Sequence, residues 1–573
     1  MSDDDVHALL ELDAAPFGPL AFGAPRQVVE AWTLAEVRPA LQAVEAAARA
    51  GRWAVGYLAY EAAPAFDEAL TVRPGAGPLV WFGLHDAPLG PPAPGSCDAR
   101  LTGLAPDTSR EAHRGSVARL REAIAAGTAY QVNLTLRLRG RLEGEPLALY
   151  RRLRAAQGGG QTAFLRAGGR AVVSASPELF FTKVGDRVVT RPMKGTARRG
   201  RWPEEDEAAA RALSASEKDR AENVMIADLL RNDLGRVART GSVRVASAFD
   251  VERFRTVWQL TSTVEARLAP GAGLGALLAA AFPCGSVTGA PKASAMKRIA
   301  AEEGSPRGVY CGAVGALAPG GDACFSVAIR TVEVDLATGA ATYGTGGGIT
   351  WGSDAGAEWD EALAKAALLD LDPGRPTLLE TMRLEGGRVA LLEGHLSRLA
   401  GSARYHATPL DLAAVRGLVE AEGGDARLRL LLAPDGAPRL ERAPLPAPLG
   451  APARLAFAAA PVSSRDAGLF HKTTGRARYE ARRAARPDCF DVLLLNEAGE
   501  VTEATVGNLV VDLDGERVTP PLSAGLLPGV FRASLLARGE VRERPLSRVE
   551  VERARRLWLV NALRGWVEAR MAP

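Results

Sequence analysis

Between Leu369 and Thr377 the chain loses its apolar periodicity, and Asp370, Asp372, Pro373, Gly374 and Pro376 crowd into one short stretch. Proline lacks a backbone donor and restricts the residue before it, so no helix or central strand runs through such a stretch. At 573 residues the chain is also longer than one ordinary hydrophobic core supports. The reading is an α/β (α+β) chain in two parts, 1–370 and 377–573, joined by a linker at 371–376. Within the first, 1–100 reads as an N-terminal part and 101–370 as a catalytic core. Within the second, a Pro- and Ala-rich stretch at 433–453 separates a small part, 377–455, from a large one, 456–573.

Few function classes survive the charge and cysteine counts. Net charge is +3, from 70 basic and 67 acidic side chains, and no long basic tract appears, which excludes a dedicated nucleic-acid binder. The five cysteines are scattered and lack C-x-x-C spacing, so reduced thiols in a cytoplasm are expected. The acidic start has no apolar signal region, and the most apolar stretch, 274–282, is too short to span a bilayer.

Lysine is scarce. There are seven, at 183, 194, 218, 292, 297, 365 and 472, against 63 arginines. Lysine loses a proton and attacks carbon; arginine stays charged. Lys194 lies in Thr190-Arg-Pro-Met-Lys-Gly-Thr196. Gly185-Asp186 reads as a two-residue turn between strands 179–184 and 187–191. That hairpin sets Glu178 opposite Met193, beside Lys194, where Pro192 and Gly195 interrupt regular pairing. A proton donor beside an amine nucleophile and a plain Glu–Lys pair across a hairpin both fit this geometry.

Two helices carry further candidates. Ser216 caps a helix to about Leu234, in which Glu222 and Asp233 fall on the stripe of Met225, Ile226, Leu229 and Leu230. A carboxylate there is costly unless paired or bound to a metal, although Glu222 is also close enough to the helix start for an N-terminal role. The second helix, 355–369, aligns Glu358, Glu361 and Lys365, which alone reads as a solvated salt-bridged face. Before it, Gly346-Gly347-Gly348 follows a strand; glycine lets backbone N–H groups approach a small anion, and the spacing is neither a dinucleotide loop nor a P-loop.

Ser176-Pro-Glu178-Leu-Phe, Arg191-Pro-Met-Lys194-Gly-Thr196, Ala221-Glu222-Asn223 through Asp233-Leu-Gly, Thr288-Gly-Ala-Pro-Lys292, Phe325 to Arg330 and Gly346 through Glu358-x-x-Glu361-x-x-x-Lys365 together resemble the chorismate-utilising enzymes: anthranilate, aminodeoxychorismate, isochorismate and salicylate synthases. The resemblance implies a β-sandwich-and-helix fold that acts on chorismate. Anthranilate synthases typically place alanine where Lys194 stands, and aminodeoxychorismate synthases place lysine. It implies Lys194 as nucleophile and Glu178 as proton donor. Glu222 and Glu361 would hold Mg²⁺ with support from Glu358. Arg330, Lys365, Thr288 and the Gly346, Gly347 and Gly348 amides would hold substrate. Gln131 takes the place of a lysine base in the isochorismate branch, which argues against water as nucleophile.

The second part resembles another family. His395-Leu-Ser-Arg398-Leu, His471-Lys472-Thr-Thr-Gly-Arg476, Thr502-Glu503-Ala-Thr505-Val-Gly-Asn508 and Gly525-Leu-Leu-Pro-Gly529-Val530-Phe-Arg532 are similar to the fold-type IV enzymes of pyridoxal 5′-phosphate, which include D-amino-acid transaminases and aminodeoxychorismate lyase. Lys472 is the only lysine after Lys365, so only it could hold the cofactor's carbonyl carbon. The resemblance implies Glu503 on the pyridine nitrogen, and Arg398, Thr505 and the amides near Gly529 and Val530 on the phosphate, with the Asn561-Ala562 turn a weaker candidate. The pair of resemblances implies 4-aminobenzoate made from chorismate and ammonia. No glutaminase elbow is read, so a separate glutamine amidotransferase partner is expected, as is a homodimer through the second part.

Overall fold

Runs of alternating apolar residues become two large antiparallel sheets. The computed structural model describes residues 3–12, 17–90, 95–371, 374–449 and 451–572. The centre of the expected linker, 372–373, lies outside the described residues. The nine-stranded sheet runs, neighbour to neighbour, through Gly289–Ala290, Gln131–Glu143, Ala340–Ile349, Thr331–Asp335, Arg170–Ser176, Gln161–Ala167, Ala8–Glu11 and Leu20–Phe22, with Arg100–Pro106 added on Gln131–Glu143. The ten-stranded sheet holds Met193–Arg198, Val257–Arg267, Arg187–Arg191, Leu179–Val184, Ala323–Val327, Ala313–Leu317, Trp53–Leu58, Val80–His85 and Gln27–Ala31, with Arg244–Arg253 on Val257–Arg267.

The two sheets bury one another. Leu10, Phe22, Leu165 and Val172 of the first interlock with Val55, Tyr57, Val314 and Cys324 of the second. Strand alternation gives each sheet a second apolar face. On the nine-stranded sheet that face packs on helix Pro146–Gln157 and on Trp359 and Ala362 of Ala355–Lys365. On the ten-stranded sheet it packs on helices Leu34–Arg49, Glu217–Gly235 and Leu274–Ala281. The chain before residue 100 does not form a part of its own, because its strands enter both sheets.

By internal contacts the chain divides into Met1–Arg198 with Ala210–Gly374, and Arg199–Ala209 with Arg375–Pro573. The break at 374/375 falls within the stretch expected as a linker, whereas the transfer of Arg199–Ala209 to the second unit has no signal in the sequence. In that unit, Leu378–Glu385, Arg388–Val389, Ala426–Leu432 and Pro438–Ala443 form a four-stranded sheet under helices Leu392–His406 and Leu412–Glu420. An eight-stranded mixed sheet follows, from Ala453–Phe457 to Gly565–Met571. Among the described residues no helix is long and apolar enough to cross a membrane.

One buried cluster of charge in the first unit is neutralised locally. Arg307 donates to Glu303 Oε1 at 2.6 Å, to Val287 O at 2.7 Å and to Asn133 O at 2.8 Å, and Arg137 reaches Glu303 Oε2 at 3.2 Å. All three charged side chains are 5% exposed or less. Removing one partner of such a cluster strands the rest. Arg307→Met should therefore cost about 3–5 kcal/mol, seen as a lower urea midpoint; a loss under about 1 kcal/mol would contradict this account of the cluster.

Candidate active sites

Lys194 lies on Met193–Arg198, whose pairing with Val257–Arg267 changes register between Met193 and Thr196. Pairing was expected to end there, at Pro192 and Gly195; instead the chain leaves its hairpin partner Leu179–Val184, stays paired with Val257–Arg267, and becomes irregular at Lys194. Gly195 sits at φ +92°, and a Cβ on it would approach Asp219 Cβ to 2.9 Å. With the ladder broken, a side chain fixes the backbone. Asn223 Nδ2 donates to Lys194 O at 3.3 Å and to Leu260 O at 3.1 Å, and Ser262 Oγ donates to Asn223 Oδ1.

Asn223 also corrects the helix reading. The buried stripe of Glu217–Gly235 is Asn223, Ile226, Ala227, Leu230, Asp233 and Leu234. It starts one residue later than expected, leaving Glu222 half-buried. Asp233 is buried as expected, and Lys292 Nζ pairs with it at 2.9 Å.

Glu178 is 2% exposed. A bulge between Leu179 and Thr182 pairs Leu179 with Arg191, so Glu178 falls one position short of the expected place opposite Met193. The two groups still converge. Burial pushes the Glu178 carboxyl up to about 7, opposed by a Ser286 hydrogen bond, the Lys194 charge and the Met193 N–H. Burial lowers the Lys194 pKa, Lys365 lowers it further, and Glu222, Glu178 and Glu361 oppose the fall. A buried carboxyl shifted up beside a buried amine shifted down is an arrangement suited to acid–nucleophile chemistry. Ser286 carried no sequence signal of its own.

Gly346, Gly347 and Gly348 lie within the strand Ala340–Ile349, not after it, paired with Thr135, Leu134 and Asn133. Past Tyr343 the neighbouring strand Thr331–Asp335 no longer pairs. The glycines also make room. A methyl group on Gly348 would stand 2.2 Å from Gln131 Nε2 and 2.8 Å from Lys194 Nζ, and one on Gly347 would stand 3.2 Å from Glu358 Oε2 and 3.7 Å from Lys365 Nζ. Gln131 is 1% exposed, and neither its Oε1 nor its Nε2 has a partner. A buried amide so placed is short of hydrogen bonds that a ligand can supply. Arg330 is held by Gln157, which sequence reasoning did not single out. Thr288 spends its hydroxyl on Cys284 O and Gly285 O, which shapes its turn.

Lys365 pairs with Glu361 Oε1 at 2.8 Å and donates to Gly346 O at 2.8 Å. Among the described residues no group of three or more His, Cys, Asp or Glu side chains is placed to hold a metal ion. Glu222, Glu358 and Glu361 therefore do not form a closed ligand set. Mg²⁺ usually takes only one or two protein carboxylates with water and substrate oxygens, so an open set suits that ion. A cavity of about 270 Å³ lined by Tyr57, Glu61, Arg170, Arg307 and Glu333 shares no residue with this cluster.

In the second unit the segment at Lys472 is pinned to a strand: Leu379 N donates to Lys472 O at 2.9 Å, and Leu378 bridges Thr473. Burial and then the Arg398 charge lower the Lys472 amine to about 8, against Glu380 and Glu503. Glu503 is buried, and Tyr479 Oη donates to it at 3.1 Å and Asn508 Nδ2 at 3.3 Å. Burial pushes its carboxyl up to about 8; a cationic ring nitrogen beside it would draw that proton off. Arg398 Nη1 donates to Pro528 O at 3.1 Å, just before Gly529 caps helix Val530–Ala537. A Cβ on Gly529 would meet Asn508 Oδ1 at 1.9 Å. A guanidinium beside a glycine-cut helix start suits a phosphate, and with a lowered amine and a buried carboxyl the residues fit pyridoxal 5′-phosphate. Thr505 departs from expectation, since its hydroxyl donates to Asp491 Oδ1 at 2.6 Å. Asn561 is likewise occupied, with Val506 O, Leu563 N and Arg564 N. Tyr479 is the residue sequence reasoning missed here.

An amine at about 8 is reactive where an ordinary lysine is still protonated. Borohydride trapping of an aromatic aldehyde, mapped by peptide mass spectrometry, should favour Lys472, with labelling that rises through about pH 8. Equal labelling of all seven lysines would contradict the burial argument.

Known proteins converge on the same two units. The profile of the chorismate binding enzymes matches residues 14–370, more than half of the chain, and that of class IV amino-transferases matches residues 377–571. An aminodeoxychorismate synthase of Streptomyces griseus is 46% identical over 260 residues, 44% of this chain and 36% of that protein. Anthranilate synthase component 1 of Streptomyces coelicolor is 47% identical over 251 residues, 44% of this chain and 49% of that one. The crystal structure of anthranilate synthase component I from Streptococcus pneumoniae superposes with a TM-score of 0.54 at 26% identity, covering 65% of this chain and 94% of that one. The chain spans less than half the length of these two curated relatives. The chain belongs to the chorismate binding enzyme family, and a class IV aminotransferase domain forms its second part.

Proposed function

We propose that the chain makes 4-aminobenzoate, a folate precursor, in two steps: chorismate and ammonia to 4-amino-4-deoxychorismate, then elimination of pyruvate. Overall similarity does not choose the first product, because relatives named for aminodeoxychorismate and for anthranilate match almost equally well. Lys194 supplies the choice, in a position where anthranilate synthases typically carry alanine. Its lowered pKa beside a Glu178 held near 7 is the observation that carries the reading.

Glu178 gives its proton to the C4 hydroxyl, which leaves as water while the Lys194 amine bonds to C2 and both ring double bonds shift, from C1=C2 and C5=C6 to C1=C6 and C4=C5. Ammonia then bonds to C4, both double bonds return, and the Lys194 amine leaves C2. One difficult displacement becomes two easier ones. Glu222 and Glu361 would hold Mg²⁺, with Glu358 in support, and the ion would neutralise the ring carboxylate. Arg330, Lys365 and the amides on the open edge of the glycine strand hold the enolpyruvyl carboxylate, and Gln131 bonds to the substrate. The ammonia comes from a separate glutamine amidotransferase or from solution, and two copies pair through the second unit.

In the second step pyridoxal 5′-phosphate, when bound, supplies an electron sink for the carbon bearing the new amine. Lys472 would hold the cofactor, and its amine would take the C4 proton. Arg398 and the Gly529–Val530 amides would bind the phosphate, and Glu503 would pair with the pyridine nitrogen. Loss of the enolpyruvyl group as pyruvate leaves an aromatic ring, which drives the step.

With chorismate, Mg²⁺, pyridoxal 5′-phosphate and an ammonium salt, Lys194→Ala should stop the first step by about a thousandfold or more. Lys472→Ala should let the amino intermediate accumulate without pyruvate, followed by chromatography. Unimpaired 4-aminobenzoate formation by either variant would contradict the proposal.

A further inference from the structure

The strand Leu378–Glu385 turns Leu378, Met382 and Leu384 into an apolar core, each 1% exposed or less. By the two-residue period of a strand, Glu380 is on that same face, and it is 2% exposed. A carboxylate in a core position needs a reason. Two residues on one face of helix Leu392–His406 surround it. His395 Nδ1 lies 2.7 Å from Glu380 Oε2, and Arg398 grips both oxygens, Nε to Oε1 at 2.8 Å and Nη2 to Oε2 at 2.6 Å. The Arg398 charge and the His395 hydrogen bond outweigh burial and hold the Glu380 carboxyl at about 2, so Nδ1 carries the proton and donates.

A guanidinium has five N–H groups in one plane. Nε and one N–H of Nη2 go to Glu380, and one of Nη1 goes to Pro528 O. The remaining two cannot rotate away, because three bonds fix the plane beside the start of helix Val530–Ala537. The unpaired amides of that helix start favour an anion. Glu380 works against the same anion by charge, since a carboxylate beside a phosphate lowers its affinity. A residue kept in the core at that electrostatic cost is explained by geometry.

We propose that Glu380, buffered by His395, is a positioning residue that locks Arg398 in the plane that receives the cofactor's phosphate, so that it sets the preference for a phosphorylated cofactor. The inference rests on the pyridoxal 5′-phosphate reading above. It makes Glu380 part of the site chiefly through Arg398, beside the charge it sets against the fall of the Lys472 pKa, with no contact to the reacting atoms.

The test compares pyridoxal 5′-phosphate with pyridoxal, which lacks the phosphate, by absorbance titration of the full chain. Glu380→Gln keeps the shape and removes the grip. It should weaken binding of the phosphorylated compound about tenfold to a hundredfold, as loss of an outer supporting residue does, and leave pyridoxal within about twofold. Arg398→Lys should show the same selective loss, and adding Glu380→Gln to it should cost nothing further. Equal losses for both compounds would make Glu380 a packing residue and overturn the inference. So would unchanged or tighter binding of the phosphorylated compound, which marks a mere counter-charge, or additive losses in the double variant. A wild-type chain that takes up neither compound overturns the cofactor reading, and this inference with it.

Discussion

Taking an ammonium group out of water is the physical act on which both units depend. Burial is the largest influence on Lys194 and on Lys472, and in each it favours the neutral amine. Arginine, which supplies almost every other cation in the chain, cannot make that change. Around each lysine a buried carboxyl is displaced the other way, Glu178 to about 7 and Glu503 to about 8. Paired groups shifted in opposite directions are what acid–base and nucleophilic chemistry at neutral pH require.

The backbone around each amine is fixed by contacts far apart in sequence. Lys194 sits where one strand ladder fails, and its carbonyl is tied by Asn223 from a helix. Lys472 sits in a loop, and its carbonyl is tied by Leu379 from a strand. Glycine completes the first site by absence, since even a methyl on Gly348 would collide with Gln131 and crowd Lys194. Positioning to within an ångström is worth orders of magnitude in rate, so these supports belong to the chemistry as much as the reacting groups do.

Much of this was legible in the sequence, for definite reasons. Period-two runs and a turn dipeptide marked the strand pair at Gly185-Asp186, and Ser216 marked a helix start, because those signals are local. The rarity of lysine drew attention to both amines. What escaped was set by tertiary contact. The bulge between Leu179 and Thr182 moved Glu178 by one position, and the stripe containing Asp233 began at Asn223 instead of Glu222. Ser286, Gln157 and Tyr479 matter through partners more than twenty residues away. The glycine run expected after a strand lies within one, because Gln131–Glu143 pairs with it along its full length. The assignment of Arg199–Ala209 to the second unit has no counterpart in any local pattern.

The central claim is that these two amines act in succession on one ring, and product identity tests it most directly. Purified chain supplied with chorismate, ¹⁵N-ammonium, Mg²⁺ and pyridoxal 5′-phosphate should yield aromatic product and pyruvate in equal amounts, with the label in 4-aminobenzoate on chromatography. Labelled 2-aminobenzoate as the product, or an aromatic product that forms equally well without pyridoxal 5′-phosphate in a chain stripped of it, would contradict the account.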